Sequence, residues 1–151
     1  MIKIIPWKEE YAQDFIDLSI EWLEKYDLLE PLDLKILHDP HGSILDGGGM
    51  IYFANRDGVN IGTVAMIDMG EDQYELAKLS VTGSCQGQHF SELLMDTAIG
   101  FARERHAKKI ILFTNSRLIP AIHLYHKYGF VDVPLIDNEY EESDMKMELL
   151  L

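Results

Sequence analysis

The sequence predicts an α/β (α+β) domain in which a mixed sheet carries helices on both faces. Three observations lead to this fold class. The apolar run 110–113 reads as a buried strand and is followed by a helix and another strand. Residues 74–81 alternate as a strand does, and residues 8–26 repeat apolar side chains every three or four positions, as an amphipathic helix does. A length of 151 residues predicts a single domain, 1–151.

The first part of the chain, residues 2–105, is expected to form four strands and three helices. In order, we expect a strand at 2–5, helices at 8–26 and 30–37, strands at 50–54, 60–69 and 74–81, and a helix at 90–105. In the strand 74–81, the alternation places Glu75, Ala77, Leu79 and Val81 on one face.

The segment 110–130 has the clearest local signals in the chain. Pro120 suits the first turn of a helix, where its missing N–H costs nothing. Gly129 stands where a helix ends in the left-handed conformation, and Phe130 begins a further strand. Tyr125 falls in the middle of this helix, so its phenol is expected to face a site beside the sheet. The acidic stretch 135–143 is expected to be a loop, and 145–149 a last strand.

Composition restricts the partners of the protein. The net charge is −13, which argues against nucleic acid, because phosphate contacts need a basic patch. The same charge suits a cationic amine, although an acidic surface that only maintains solubility is the alternative. No apolar run is long enough to span a membrane and the N-terminus lacks a signal peptide, so we expect a cytoplasmic protein without membrane contact.

The predicted loop between the strand that ends at residue 81 and the helix that begins near residue 90 resembles an anion-binding site. A strand leads through small and polar residues into the N-terminus of a helix, where free N–H groups and the helix dipole favour phosphate. Many such joins bind nothing, so this signal needs support from elsewhere in the chain.

That support comes from a family resemblance. The chain resembles the GNAT superfamily of acyl-CoA-dependent N-acetyltransferases in its order of elements and in two motifs. The pyrophosphate loop of the family corresponds to Gln86-Gly87-Gln88-His89-Phe90-Ser91, and the family's later signature to Asn115, Ala121, Leu124-Tyr125 and Gly129-Phe130. The resemblance implies a mostly antiparallel central sheet of six to seven strands and acetyl-CoA as cosubstrate.

The loop departs from the family pattern at two positions. The family's first glycine is His89 here, and the last small residue is Ser91. His89 is expected either to change the bend of the loop, to point its ring outward, or to donate a hydrogen bond to phosphate. The Ser91 hydroxyl is expected to cap the helix or to donate to phosphate.

The resemblance also implies roles for individual residues. The cofactor-binding set is Leu79, Val81, Gln86, Gly87, Gln88, His89, Phe90, Ser91, Asn115 and Tyr125. Within it, the Val81 N–H would bind the thioester oxygen and Asn115 the pantetheine arm. Tyr125 would protonate the leaving sulfur, and Glu75 would deprotonate the amine, often through a water. The alternatives are that Tyr125 packs in the core and that Glu75 is an exposed strand residue.

The acceptor is predicted only by class. Acidic residues follow the first helix and fill the late loop, and they would attract a cationic primary amine, either a small molecule or a peptide. They are Glu24, Asp27, Glu30, Asp33, Asp137, Glu139, Glu141, Glu142 and Asp144, with Trp22, Tyr26 and Tyr140 as neighbouring aromatic residues. No metal site is expected, because His123 and His126 have no evident third ligand and His38 and His41 flank the turn sequence Asp39-Pro40. The sequence also allows a homodimer through strand edges, and the alternative to an enzyme is a catalytically inactive CoA-binding or partner-binding module with a GNAT-like fold.

Overall fold

A seven-stranded sheet forms the centre of the protein. The computed structural model describes residues 1–136 and 138–151, so Asp137 lies outside the described residues. The strands are β1 (Ile2–Pro6), β2 (Met50–Arg56), β3 (Val59–Gly70), β4 (Gln73–Val81), β5 (Lys109–Thr114), β6 (Val131–Val133) and β7 (Met145–Leu150). Their order is β1-β2-β3-β4-β5-β7-β6, and only β4 and β5 pair in parallel. The expected mostly antiparallel sheet is confirmed.

Helices cover both faces of this sheet, as the sequence predicts. They are α1 (Ala12–Lys25), α2 (Pro31–His38), α3 (Phe90–Glu104) and α4 (Ile119–Lys127). Ala65 of β3 packs in a core with α1 and α2, whereas its neighbour Met66 packs in a second core with α3 and α4. Neighbouring strand residues point to opposite faces, so the two cores lie on opposite sides of the sheet. Within the described ranges, no helix is long and apolar enough to cross a membrane.

Local sequence signals fix the ends of α4. Pro120 stands in its first turn, where an N–H has no helical partner. Gly129 follows the helix with a φ of 96°, a left-handed conformation that glycine adopts without steric cost. Both features agree with the expectation for this segment.

A bulge in β4 interrupts the alternation of side chains that the sequence predicts. Ala77 pairs with Ala65 and Ser80 with Thr63, so β4 has one more residue than β3 between these pairs. Lys78 takes up the extra length with a φ of 57°. Val81 therefore packs in the core with Leu76, and the prediction that it shares a face with Glu75 was wrong.

Candidate active site

A cleft opens in the sheet where β4 and β5 separate. The two strands pair from Gln73 with Lys109 to Glu75 with Ile111, and they do not pair beyond these residues. The rest of β4 stays with β3, while β5 continues beside β7. The last residues of β4 consequently have one free edge, which faces two cavities.

The larger cavity gathers most of the predicted cofactor residues. It has a volume of about 420 Å³ and lies between the end of β4, the start of α3 and α4. The predicted residues that line it are Leu79, Val81, Gln86, Gly87, His89, Phe90, Ser91 and Tyr125. Gln88 is exposed outside this lining. Asn115 lines the other cavity, where its Nδ2 donates to the carbonyl of Glu142 at 2.7 Å, so its role toward pantetheine stays a prediction.

The loop before α3 is bent by two residues with positive φ. Gly87 has a φ of 81° and His89 one of 64°, and His89 directly precedes the helix. The His89 side chain is 79% exposed, with Nδ1 3.5 Å from Glu92, so the ring points outward. No side chain caps α3, and Ser91 lies inside the helix, so the prediction that its hydroxyl is the cap was wrong. The first N–H groups of α3 are left for an anion.

The backbone N–H of Val81 points away from β3 and into the cleft, while its role as an oxyanion donor stays a prediction. The N–H of Thr82 donates to the carbonyl of Ile61 at 2.8 Å, and Val81 is paired with Gly62. Residues of an antiparallel pair alternate in bonding, so the backbone groups of Val81 point away from β3 and toward the cleft. Its carbonyl accordingly accepts a bond from Gln86 Nε2 at 3.1 Å.

The smaller cavity is the more polar of the two and lies on the α1 and α2 side of the cleft. It measures about 110 Å³, and its polar lining includes Ser19, Glu75, Lys78 and Tyr140. The Ser19 hydroxyl is buried and has no hydrogen-bond partner in the part of the chain that the structure describes. A cavity with these groups can hold the polar end of a small ligand.

Glu75 is buried at this cavity, which excludes the alternative of an exposed strand residue. Its side chain accepts a hydrogen bond of 2.9 Å from the Tyr140 hydroxyl. Burial raises the pKa of Glu75 to about 7, and the bond from Tyr140 and the charge of Lys78 offset part of this effect. A carboxyl with a pKa near neutrality exchanges protons readily at physiological pH.

Tyr125 lies where the two cavities meet. It lines both of them, together with Trp22, Leu79 and Ser80. The residue is 8% exposed and also packs against Phe130, at a ring distance of 6.0 Å. Burial raises the pKa of its phenol to about 12, so the hydroxyl stays protonated and can donate. The packing role and access to the cleft therefore coexist in this residue.

Two of the expected acidic rim residues are buried and have partners inside the protein. Asp33 forms an ion pair with Lys78, and each side chain is 5% exposed. Glu30 accepts the N–H groups of Glu141 and Glu142 at 2.9 and 2.8 Å. Lys78 was missed as a site residue in the sequence, although a lysine inside a strand that is otherwise largely apolar was a signal for it.

The remaining candidates for metal or thiol chemistry do not assemble a site. Among residues 1–136 and 138–151, no group of three metal-ligating side chains is found. His126 lies 3.3 Å from Asp132 and is half exposed. Cys85 is buried at 1% exposure and accepts a bond from Arg56 at 3.2 Å.

Comparison with known proteins gives a family match and distant curated relatives. A model described as the acetyltransferase (GNAT) family matches residues 6–130. N-acetyltransferase family 8 member 2 of Rattus norvegicus is 30% identical over 99 residues, which are 62% of this chain and 44% of that protein. The chain thus spans less than half the length of this relative.

Solved structures share the fold over the whole chain. A GNAT acetyltransferase from Staphylococcus aureus superposes with a TM-score of 0.86 at 20% identity, covering 98% of both chains. The PaiA N-acetyltransferase of Thermoplasma acidophilum, in complex with coenzyme A, has a TM-score of 0.79 at 15% identity and covers 100% and 99%. A chimera of the spermidine N-acetyltransferase SpeG from Vibrio cholerae has a TM-score of 0.71 at 20% identity, with 99% and 94% covered.

Proposed function

Because this chain belongs to the acetyltransferase (GNAT) family, we propose that it transfers acetyl from acetyl-CoA to a primary amine by direct attack in a ternary complex. One observation carries the proposal. The cavity at the start of α3 and the polar cavity at Glu75 meet at Tyr125, so a thioester in the first lies beside an amine in the second.

The cosubstrate fits the larger cavity by its chemistry. The uncapped N-terminus of α3 offers N–H groups to the pyrophosphate, and the Val81 N–H faces the cleft to bind the thioester oxygen. Trp22, Leu79 and Leu124 give the same cavity an apolar wall for the pantetheine arm. Glu92 is the acidic exception in this lining, and it pairs with Lys127 at 2.6 Å.

Proton transfer is divided between Glu75 and Tyr125. Glu75 takes one proton from the acceptor ammonium, and the free amine attacks the thioester carbon. As the carbon–sulfur bond breaks, Tyr125 donates its proton to the sulfur and regains one from the new amide nitrogen. The proton on Glu75 then leaves to water, which balances the release of one proton per turnover. A general acid or base typically contributes a factor of ~10²–10⁴.

The proposed acceptor is a cationic primary amine. Four acidic residues, Glu30, Asp33, Glu75 and Glu142, line the smaller cavity against the single ammonium of Lys78. This balance favours a positively charged ligand. The spermidine acetyltransferase among the structural relatives acts on such an amine, although its likeness to this chain concerns the fold. The cytoplasmic location and the homodimer stay predictions.

Binding of acetyl-CoA is the first test. A concentration of 100 times the dissociation constant is expected to add about 2.7 kcal/mol to the free energy of unfolding, visible as a higher melting temperature. Ser91→Glu, with a new charge in the first turn of α3, is expected to abolish the shift. Thr97→Glu, farther along the same helix, is the matched control. No shift for the wild type at millimolar acetyl-CoA would contradict the proposal.

The second candidate is a CoA-binding module without catalysis. The small volume of the polar cavity, about 110 Å³, favours it, because few acceptors fit unless the loop of residues 138–144, which contributes to the lining, moves. Binding of acetyl-CoA without transfer to any member of a broad amine panel would support this module. Acetylation of one amine well above the rate without protein would exclude it.

A further inference from the structure

The side chain of Tyr140 forms a hydrogen bond to one of the two oxygens of the Glu75 carboxyl. Its hydroxyl donates a hydrogen bond of 2.9 Å to Oε2, whereas Oε1 accepts no hydrogen bond from a residue that the structure describes. We propose that Tyr140 is a positioning residue for Glu75, which holds Oε2 and stabilises the ionised carboxylate so that Oε1 can take the proton of the acceptor amine. This inference rests on the proposed role of Glu75 as the base.

The loop that carries Tyr140, residues 138–144, is bonded so that this side chain has a fixed place. The Asn138 amide donates to the carbonyls of Tyr140 and Ser143 at 2.6 and 3.1 Å, and its oxygen accepts the N–H of Tyr140 at 3.0 Å. The Tyr140 ring also packs against Phe113 of β5, with 5.7 Å between centroids. A tyrosine held in this way loses little further freedom when its hydroxyl binds Glu75.

A buried glutamate attaches this loop to the body of the protein. The two carboxylate oxygens of Glu30, which is 7% exposed, accept the N–H groups of Glu141 and Glu142. On the other side, Asn115 donates to the Glu142 carbonyl. The loop that carries Tyr140 is therefore bonded on two sides to the body of the protein, which keeps the Tyr140 hydroxyl beside Glu75.

The charges around Glu75 act in opposite directions on its ionised form, which the Tyr140 hydroxyl stabilises. Lys78 of β4 favours the ionised carboxylate, Glu139 of the loop disfavours it, and burial disfavours it most. Asp33 of α2 neutralises much of the Lys78 charge, and Glu30 and Glu142 are further acidic residues that line the same cavity. The cavity residues contributed by α1 and β5, such as Ser19 and Phe113, carry no charge. Among the effects that lower the pKa of Glu75, the hydrogen bond from Tyr140 is the largest.

The direct test measures Glu75 itself and needs no acceptor. Carbon-13 NMR of the glutamate carboxyls is recorded against pH for the wild type, Tyr140→Phe and Tyr74→Phe. Loss of a hydrogen bond to the ionised form is expected to raise the pKa of Glu75 by about one in Tyr140→Phe. Tyr74→Phe removes a buried hydroxyl on the same strand, bonded to the Gly48 carbonyl, and is expected to leave the titration unchanged.

Kinetics separate positioning from a merely structural role. If Glu75 is the base, the acid limb of kcat/KM moves up with its pKa, and Tyr140→Phe loses about fivefold at pH 7 but recovers at pH 9. An equal loss at every pH would overturn the positioning role. A Glu75 titration that is identical in Tyr140→Phe and the wild type would overturn it as well, whether or not an acceptor is known.

A second variant tests the loop without altering Tyr140. In Glu30→Gln, one side-chain oxygen remains to accept the two N–H groups, so the loop is held less firmly. We expect a smaller upward shift of the Glu75 pKa in the same direction. A Glu75 titration unchanged in both Glu30→Gln and Tyr140→Phe would contradict the proposal. If the Glu75 pKa shifts in Tyr140→Phe but the wild type has no transferase activity, only the proposed function is contradicted.

Discussion

The ammonium of Lys78 and the carboxylate of Asp33 form a buried ion pair, although the residues are 45 positions apart in the chain. Lys78 stands in the bulge of β4 with a positive φ, and Asp33 stands in the first turn of α2. The pair thus joins α2 to the strand that borders the cleft. Breaking it is expected to affect both stability and the shape of the smaller cavity.

Lys78→Met is expected to destabilise the protein by about 3–5 kcal/mol, because it leaves the Asp33 carboxylate buried and unpaired. Urea unfolding measures this loss. The double variant Lys78→Met with Asp33→Asn is expected to recover part of it, since no unpaired charge remains. Lys109→Met is the control. Lys109 forms a partly exposed pair with Glu148 at 3.4 Å, so its loss is expected to lower the free energy of unfolding by less than about 1 kcal/mol. Equal losses in the two single variants would contradict the role of burial.

Replacement of Glu75 by glutamine is expected to stabilise the fold at high pH. The pKa of Glu75 is about 7 in the folded state and near 4.5 ordinarily, so the folded state binds more protons between these values. The contribution of Glu75 to the free energy of unfolding therefore falls as pH rises from about 4.5 to 7, by roughly 3 kcal/mol. Glu75→Gln lacks this fall, while Tyr140 can still donate to the amide oxygen.

Urea unfolding of the wild type and Glu75→Gln across pH 4–9 tests this trend. We expect the two proteins to converge at low pH and the variant to be the more stable above pH 7. Glu71→Gln, in the exposed turn after β3, controls for the loss of one charge. A constant difference between wild type and Glu75→Gln over the whole range would contradict the raised pKa.

His89→Gly is expected to stabilise the loop without weakening acetyl-CoA binding. A non-glycine residue in the left-handed region costs about 1–2 kcal/mol, and the greater freedom of glycine in the unfolded chain offsets part of the gain. His106→Gly, with a φ of 58° between α3 and β5, is the matched control. We expect each variant to gain about 0.5–1 kcal/mol in thermal unfolding. A tenfold loss of acetyl-CoA affinity in His89→Gly alone would instead identify the ring as a phosphate ligand.

Local signals in the sequence were sufficient to predict the helices and strands and half of the candidate site. Pro120 and Gly129 act within their own turns, so the helix that presents Tyr125 could be predicted from neighbouring residues. The gathering of Val81, Gly87 and Ser91 around one cavity followed from the family resemblance. These features depend on short stretches of chain or on a known pattern.

The other half of the site depends on contacts between distant segments. The bulge at Lys78 exists because β4 is one residue longer than β3 between two pairs, which no local pattern in β4 reveals. The bonds from Tyr140 to Glu75 and from Glu141 to Glu30 join residues 65 and 111 positions apart. An acidic loop therefore looked like a charged rim in the sequence, whereas Glu30 in fact holds the backbone of that loop.

We infer that Tyr125 stands between a bound thioester and an acceptor amine, and the turnover of Tyr125→Phe tests this arrangement most directly. With a working amine, acetyl transfer is followed as release of the CoA thiol, and acetyl-CoA affinity is measured in parallel. We expect kcat to fall ~10²-fold or more, since the proton donor for sulfur is lost, with acetyl-CoA affinity nearly unchanged. A kcat within threefold of the wild type at every pH would contradict it.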